Sequence, residues 1–267
     1  MIEQSKLYLN KFVDDLQAGG HYTFTRQGLA KKLNKTDTAI TLALNRLLKT
    51  GRIISPKRGF YVVVPLEYSL SGGLSPLWYI KDLANYLDCS YYVGLLSAAE
   101  IYGAAHQRPQ EFQVMTDTQQ SLVKLKQYRI KFFHKWNLKE TPTLESKVAT
   151  GSVRVSTPEA TALDLVRYYK DVGSLNNVAT VLSELTPSIH KLSLAAAAKK
   201  HIEMSVIQRL GYLLDLVGQD KLSEGLVHLL KERRVQLAKL RPDLDAEDAK
   251  IDSRWSLYVN EIIEPDL

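Results

Sequence analysis

The chain of 267 residues contains a single cysteine, Cys89. One thiol excludes an internal disulfide and a metal site built from several cysteines. Tyr86 and Leu87 precede Cys89, and Tyr91 and Tyr92 follow it. A free cysteine in such an apolar setting usually packs as a small hydrophobic side chain. We therefore expect Cys89 to be a packing residue and not a nucleophile.

Long apolar runs, histidine clusters and glycine-rich phosphate loops are also missing from the sequence. No window approaches the ~20 apolar residues of a membrane span. Residues 1–16 alternate polar and apolar side chains, without the continuous apolar stretch of a signal peptide. The six histidines show no ligand spacing, and Gly72-Gly73 lies in a stretch rich in proline, glycine and serine. We expect a cytoplasmic protein with no membrane partner, no metal and no cofactor.

Net positive charge is confined to the start of the chain. The whole sequence holds 35 Lys and Arg against 29 Asp and Glu, and residues 1–69 hold 11 and 5 of them. The remainder therefore has 24 of each sign, and the whole net charge of +6 lies in the first segment. A basic module in front of a neutral body is the distribution expected of a polyanion-binding head on a separate domain.

The elements predicted in residues 1–68 follow the order of a winged helix-turn-helix. They are a helix at 5–16, a short strand at 21–24, a helix at 26–33 capped by Thr25, a turn at 34–36, a helix at 37–49, and two β-rich runs at 52–54 and 60–64. The two runs are joined by a loop at 55–59 with a basic tip. In this fold the second helix of the pair enters the major groove of DNA, and the hairpin lies along the backbone.

The helix predicted at 37–49 is amphipathic. Its apolar stripe consists of Ile40, Ala43, Leu44, Leu47 and Leu48. The opposite face is mostly polar or basic and suits contact with base edges and phosphates. We expect DNA contacts from Lys35, Thr36, Thr38, Thr41, Asn45, Arg46, Lys49, Lys57 and Arg58. Thr38, Asn45 and Arg46 are expected to approach bases, whereas Lys35, Lys49, Lys57 and Arg58 are expected to contact phosphate.

Residues 65–75 predict a linker, so we expect a DNA-binding domain at 1–68 and a larger domain at 76–267. In the larger domain we predict strands at 111–116, 129–134, 144–149 and 153–156, and helices at 76–87, 95–102, 158–169, 175–185, 189–201, 206–217 and 221–232. Residues 255–263 predict a strand or a helix. The expected fold class is α+β: a winged helix-turn-helix followed by a mixed α/β domain with its helices late in the sequence.

Four segments resemble the AbiEi antitoxins, the partners of nucleotidyltransferase toxins in bacterial abortive-infection operons. They are residues 92–100 (YVGLLSAAE), 155–165 (VSTPEATALDL), 209–214 (RLGYLL) and 254–260 (RWSLYVN). The resemblance covers nearly the whole chain, because that family also begins with a winged helix-turn-helix. It implies a non-enzymatic phage-defence antitoxin that binds repeats in its own promoter and represses the operon. We expect these repeats to be inverted. The resemblance also implies that the second domain counteracts a nucleotidyltransferase toxin, by direct contact or only functionally.

A second basic run in the body allows two interpretations. It consists of Lys124, Lys126, Arg129, Lys131 and Lys135, with Tyr128, Phe132, Phe133 and Trp136 interleaved. Cations that bind phosphate beside aromatics that stack are typical of a second nucleic-acid surface or a partner-binding face. A pair of edge strands with lysines outward and aromatics in the core gives the same pattern. The second interpretation is favoured.

The main alternative function is a magnesium-dependent nuclease delivered to DNA by the winged head. Glu145-Ser146-Lys147 matches the short E-x-K pattern of such enzymes, in which a carboxylate holds the metal and the lysine helps to activate water. An upstream acidic ligand is also needed, for which Asp117 or Glu111 is the candidate. A pattern of three residues recurs often by chance, so the antitoxin interpretation is favoured over the nuclease. A third alternative, a protein-binding adaptor, is also less favoured than the antitoxin.

Overall fold

A computed structural model of the chain describes residues 2–33, 36–68, 74–104, 110–126, 128–200, 203–233 and 235–266. Helices and strands are mixed, as predicted. No helix in these ranges has both the length and the apolar character needed to cross a membrane.

The described residues of the amino-terminal module form three helices and a three-stranded antiparallel sheet. Its elements are α1 (Ile2–Ala18), β1 (Thr23–Thr25), α2 (Arg26–Leu33), α3 (Asp37–Lys49), β2 (Ile53–Lys57) and β3 (Phe60–Val63). The strand order is β1-β3-β2. Leu9 and Val13 of α1, Leu29 of α2 and Leu44 of α3 meet in one buried cluster. The pair α2 and α3 fits a helix-turn-helix.

Local hydrogen bonds explain where α2 and α3 begin. The Thr25 hydroxyl accepts a bond from the Gly28 amide at 3.0 Å, and the Thr36 hydroxyl accepts one from the Ala39 amide at 3.4 Å. Each satisfies an amide that has no partner in the first helical turn. The predicted bounds of both helices agree with the structure, because a cap is encoded within a few residues.

The hairpin is tighter than predicted. We expected a loop over residues 55–59, but β2 continues to Lys57, and only Arg58 and Gly59 form the turn. The strand pairing shifts register between Ile54 and Lys57. Pro56 lies within this irregularity, where the missing amide of a proline costs no regular pairing bond.

The body is built on a six-stranded sheet of order β6-β7-β5-β4-β9-β8. Its strands are β4 (Tyr91–Val93), β5 (Glu111–Thr116), β6 (Val123–Lys124), β7 (Arg129–His134), β8 (Thr143–Val148) and β9 (Gly151–Ser156). The pairs β4 with β9 and β5 with β7 are parallel, whereas the other three pairs are antiparallel. We did not predict β4 and β6, which are only three and two residues long.

Most helices of the body cover one face of this sheet. The helices of the body are α4 (Ile80–Tyr86), α5 (Leu95–Ile101), α6 (Pro158–Arg167), α7 (Leu175–Leu185), α8 (Lys191–Lys200), α9 (Met204–Leu216) and α10 (Asp220–Arg233). Tyr92, Met115 and Phe133 of the sheet pack with apolar residues of α6 to α10 in the largest buried cluster. The segment at 76–87, predicted as one helix, is a 3₁₀ turn at Pro76–Trp78 followed by α4.

The opposite face of the sheet is covered by α4 and by the amino-terminal module. Val93, Val114 and Val155 of the sheet share a buried cluster with Phe60 and Val62 of β3. Alternate residues of β3 point to opposite sides, so Tyr61 and Val63 lie in the core of the module instead. Strand β3 therefore belongs to two cores and connects the module to the body.

The carboxy-terminal part of the chain forms a small three-stranded sheet. It consists of β10 (Ala238–Lys239), β12 (Leu257–Val259) and β11 (Lys250–Asp252), in that order. Of the two possibilities for residues 255–263, the structure has the strand. Trp255, which precedes β12, is fully buried.

Candidate nucleic-acid interface

The face of α3 that we expected to contact DNA is exposed. Thr38, Asn45, Arg46 and Lys49 are all exposed, whereas Ile40, Ala43, Leu44 and Leu47 are buried in the module. Leu42 lies in the middle of the exposed face with 51% of its surface accessible. The helix thus presents a short polar and basic surface around one apolar side chain, which suits the hydrogen-bonding edges and thymine methyls of a major groove.

Thr36 and Arg46 lie at the margins of this face. Thr36 is exposed and caps α3, so its side chain is at the amino-terminal end of the helix, where anions bind favourably. Arg46 is on the side of α3 that faces α1, beside a groove of about 410 Å³ that Leu9 and Asn10 also line. Lys35 falls outside the residues that the structure describes.

Thr41 is directed toward α2. Its hydroxyl donates to the Asp37 carbonyl at 2.8 Å and accepts from Arg26 Nη2 at 2.7 Å. The same nitrogen lies 2.7 Å from Asp37 Oδ1. This hydrogen-bonded carboxylate raises the pKa of the Arg26 guanidinium above its usual value. Thr41 therefore helps to fix the Arg26 side chain. The Thr41 hydroxyl proton is already donated to the Asp37 carbonyl.

Arg26 lies beside the candidate face of α3 and was not predicted from the sequence. It is the first residue of α2, its side chain is 31% exposed, and it lies between α3 and the hairpin. Spacing within one helix cannot reveal a contact between two helices. The available signal was a cation directly after a capping threonine, with an acidic residue at the start of the next helix.

The two cations of the hairpin differ in their surroundings. Arg58 is exposed at the turn. Lys57 is half-buried, and its Nζ donates to Ser121 Oγ at 2.5 Å, in the loop before β6 of the body. Strand β2 is also in contact with β6. The ammonium group of Lys57 therefore lies on the side of the hairpin that faces the body.

Three cations of the second basic run are exposed beside the hairpin. Lys124 and Lys126 lie on or next to β6, at the edge of the sheet, and Arg129 begins β7 and pairs with Glu111 at 3.6 Å. Lys131 is half-buried and forms an ion pair with Asp171 at 2.8 Å. Strand β7 is not an edge strand, because β6 and β5 flank it.

Lys135 corrects the prediction for this run. It is only 3% exposed, and its Nζ donates to Asp164 Oδ1 at 2.6 Å and to the Tyr92 hydroxyl at 3.0 Å. The Tyr92 hydroxyl in turn donates to Asp164 Oδ2 at 2.6 Å. A buried lysine with these partners is not part of an exposed surface. Burial and the Asp164 carboxylate raise the pKa of Tyr92 well above its usual value, so this hydroxyl stays protonated.

The structure does not assemble the nuclease site. Glu145 and Lys147 are exposed on β8, at one edge of the sheet, whereas Glu111 and Asp117 lie at the two ends of β5. Strands β9 and β4 separate β8 from β5, which is about 14 Å at the usual strand spacing. In the part of the chain that the structure describes, no group of three or more acidic, histidine or cysteine side chains could hold a metal ion.

Cys89 is half-buried next to α4, with its Sγ 3.8 Å from the Ala84 carbonyl. Burial raises the pKa of its thiol, and the nearby Asp117 carboxylate acts in the same direction. A raised pKa disfavours the thiolate, which is the nucleophilic form. This setting agrees with the packing role expected for Cys89.

Comparisons with known proteins identify two matched regions. A family model described as "Transcriptional regulator, AbiEi antitoxin" matches residues 11–64, and one described as "AbiEi antitoxin C-terminal domain" matches residues 92–216. A search of curated protein sequences finds no match.

Among solved structures, the crystal structure of the RV2827C protein from Mycobacterium tuberculosis aligns with 94% of this chain and 90% of that chain. The identity is 16% and the TM-score is 0.68, so this similarity concerns the fold alone. A solution structure of the antibiotic-resistance factor ANT(2'')-Ia aligns with 46% of this chain and 91% of that chain, at 11% identity and a TM-score of 0.29. That score is too low to support an argument.

Proposed function

We propose, from the premise that this chain belongs to the AbiEi antitoxin family, that it is a DNA-binding antitoxin that represses its own operon. The observation that carries this proposal is the exposed polar and basic face of α3 within the module that holds the net charge of the chain. The body, matched by the antitoxin domain, would counteract a nucleotidyltransferase toxin, by direct contact or only functionally.

We infer that residues 1–68 act as a winged helix-turn-helix. Helix α3 would be the recognition helix, since its apolar stripe is buried and its polar face is free to enter a major groove. The hairpin of β2 and β3 would be the wing. The order of helices and strands, and the sheet that places the hairpin beside α2 and α3, support this assignment.

The proposed roles of the side chains follow their positions. Thr38, Asn45 and Arg46 would approach bases, because they are exposed on α3. Lys49 and Arg58, which are exposed, would contact phosphates, and the sequence alone suggests the same role for Lys35. Lys57 would contact a phosphate by exchanging its bond to Ser121. Thr36 would contribute through the amino-terminal end of α3, and Thr41 through its bond to Arg26.

The basic residues beside the wing extend this proposal. Lys124, Lys126 and Arg129 would form a second nucleic-acid or partner surface, which the contact between β2 and β6 supports. Lys131 would be a weaker member, because its charge is paired with Asp171. No catalytic role is part of the proposal, and purified protein incubated with magnesium and duplex DNA is expected to leave the DNA uncut.

The exposed face of α3 can be tested by substitution. Replacing Asn45 and Arg46 by alanine is expected to abolish the gel shift of a duplex carrying the sequence immediately upstream of the gene, because base and phosphate contacts are lost together. The wild-type protein is expected to lose affinity with rising salt at a log–log slope near −5, if about six phosphates are neutralised.

A matched control is the variant Lys231→Ala with Lys250→Ala, which removes two exposed positive charges outside the module. It is expected to bind as the wild type does. Unchanged binding by the Asn45 and Arg46 variant, with its circular dichroism spectrum intact, would contradict the assignment of α3. Cleavage of DNA with magnesium would favour the nuclease function instead.

A further inference from the structure

The turn of the hairpin is held from both sides. On the module side, the Arg26 amide donates to the Gly59 carbonyl at 2.8 Å. On the body side, the hydroxyl of Tyr86, the last residue of α4, donates to the Arg58 carbonyl at 2.8 Å. The ring centroids of Tyr86 and Phe60 are 5.3 Å apart.

Gly59 is needed for this arrangement. Its φ of +86° is in the left-handed region, and a Cβ at this position would lie 2.7 Å from the Tyr86 hydroxyl oxygen. Only glycine combines that backbone conformation with so close an approach of the tyrosine. The sequence of the turn and the tyrosine of the body are therefore fitted to each other.

These contacts shape a groove between the recognition helix and the wing. Its volume is about 660 Å³, and it is lined by Thr25, Arg26, Thr41, Arg58, Tyr61 and Tyr86 among others. Among the residues that the structure describes, the charged groups lining it are Arg26, Arg58 and Asp37, and Asp37 is paired with Arg26. The groove therefore carries a net positive charge, with one guanidinium fixed by hydrogen bonds and the other exposed at the rim.

We propose that this groove receives a backbone phosphate of bound duplex DNA, and that Tyr86, a residue of the body, completes the site by fixing the position of Arg58. The ligand class follows from chemistry: the guanidinium groups of Arg26 and Arg58 beside one cleft match an oxyanion, whereas the Tyr86 hydroxyl already donates its proton to the Arg58 carbonyl. The oxyanion is assigned to the DNA backbone because the groove opens between α3 and the hairpin, the two elements that the proposed function places on DNA. The inference rests on that proposed function.

Tyr86 is a positioning residue in this account. Its hydroxyl bonds to the backbone of the turn, so its removal frees Arg58 without changing the charge of the protein. A turn that is not held must be ordered on binding, and one exposed phosphate contact does not compensate that cost, so the contact of Arg58 is expected to be lost together with the Tyr86 bond. The DNA-binding unit then extends past residue 68 to include α4.

The test uses the whole chain of 267 residues and three single variants of it. Tyr86→Phe removes one hydroxyl and keeps the ring against Phe60. Arg58→Gln removes the exposed charge. Tyr168→Phe is the matched control, since it removes a hydroxyl that donates to a backbone carbonyl, that of His134 at 3.4 Å, elsewhere in the body. The probe is the duplex upstream of the gene, titrated at several salt concentrations.

We expect Tyr86→Phe and Arg58→Gln each to weaken binding about two- to ten-fold, as for the loss of one hydrogen bond or charged contact. Each is also expected to reduce the log–log salt slope by about one, because one phosphate contact is lost. A variant that is merely less well folded would leave the slope unchanged. Tyr86→Phe should also speed tryptic cleavage after Lys57 and Arg58, whereas Tyr168→Phe should match the wild type in all three measurements.

Wild-type affinity and salt slope in Tyr86→Phe, or weaker binding with an unchanged slope, would overturn the role of Tyr86. The same results in Arg58→Gln would overturn the phosphate site. Either result leaves the proposed function standing, because the wild type still binds. A wild-type protein that binds no duplex would overturn the proposed function itself, and the groove with it.

Discussion

At the scale of single residues, burial and not sequence spacing decides whether a lysine of the second basic run lies at the surface or in the core. Lys135 and Lys131 are four residues apart in one basic run, yet Lys135 is 3% exposed and Lys131 is 34% exposed. Moving an ion pair out of water is costly, and the pair is kept only because good geometry and further hydrogen bonds compensate. Asp164 and Tyr92 supply that geometry for Lys135.

Replacing Lys135 by methionine is expected to lower the free energy of unfolding by about 3–5 kcal/mol, because Asp164 would remain buried without its partner. Urea denaturation measures this change. The double variant with Asp164→Asn should recover part of the loss, since no charge is then buried alone. A single variant as stable as the wild type would show that this ion pair does not hold the sheet to α6.

At the scale of elements, the sequence specified segments with strong local signals and missed those without them. Helix α7 has its predicted bounds, and Ser174 caps it by accepting a bond from the Asn177 amide at 3.4 Å. The strands β10 and β11 are two and three residues long and have no such signal. They form because β12 lies between them in space.

Gly211 in α9 shows how a contact between elements can override helix propensity. A Cβ at this position would lie 2.0 Å from the ring of Trp255, which is fully buried. Alanine normally stabilises a helix by about 1 kcal/mol relative to glycine. Here the absence of a side chain makes room for the indole.

Gly211→Ala is therefore expected to lower the free energy of unfolding by about 1–3 kcal/mol or more, because the indole must move. Thermal unfolding and a red shift of tryptophan emission would report it. The control is Gly225→Ala in α10, where the added Cβ would meet the Ala195 Cβ at 3.3 Å, and a smaller effect is expected. A stabilised Gly211→Ala protein would contradict this account of the Trp255 packing.

At the scale of the whole molecule, the module and the body share a buried cluster through β3. The division at residues 68 and 76 remains a prediction, but Phe60 and Val62 lie before it in sequence and pack in the core that includes α4 and the sheet. The hairpin of β2 and β3 belongs to the module, and its turn and outer strand lie against the body. A stable body is thus part of what positions the hairpin.

Phe60→Ala is expected to lower the free energy of unfolding by about 3–5 kcal/mol, because a large buried ring is removed from the shared cluster. All three tryptophans, Trp78, Trp136 and Trp255, are in the body, so their fluorescence reports its unfolding. In the wild type this transition is expected to coincide with the one seen by circular dichroism, and in Phe60→Ala the two should separate. Separate transitions in the wild type would show that the module unfolds independently.

The sequence by itself determined the features that depend on a few neighbouring residues. The charge division, the bounds of α2, α3 and α7, the exposed face of α3 and the family resemblance were all readable from it. Caps, helical periodicity and charge counts are local, so no knowledge of the fold is needed to find them.

Only the tertiary structure decided which distant residues meet. It placed Lys135 in the core with Asp164 and fixed Arg26 against α3. It also separated Glu145 from Glu111 and brought Tyr86 to the turn of the hairpin. The physical reason is that burial and pairing depend on how sheet and helices pack. Residues 28 positions apart, such as Arg58 and Tyr86, become neighbours only when a shared core closes the chain on itself.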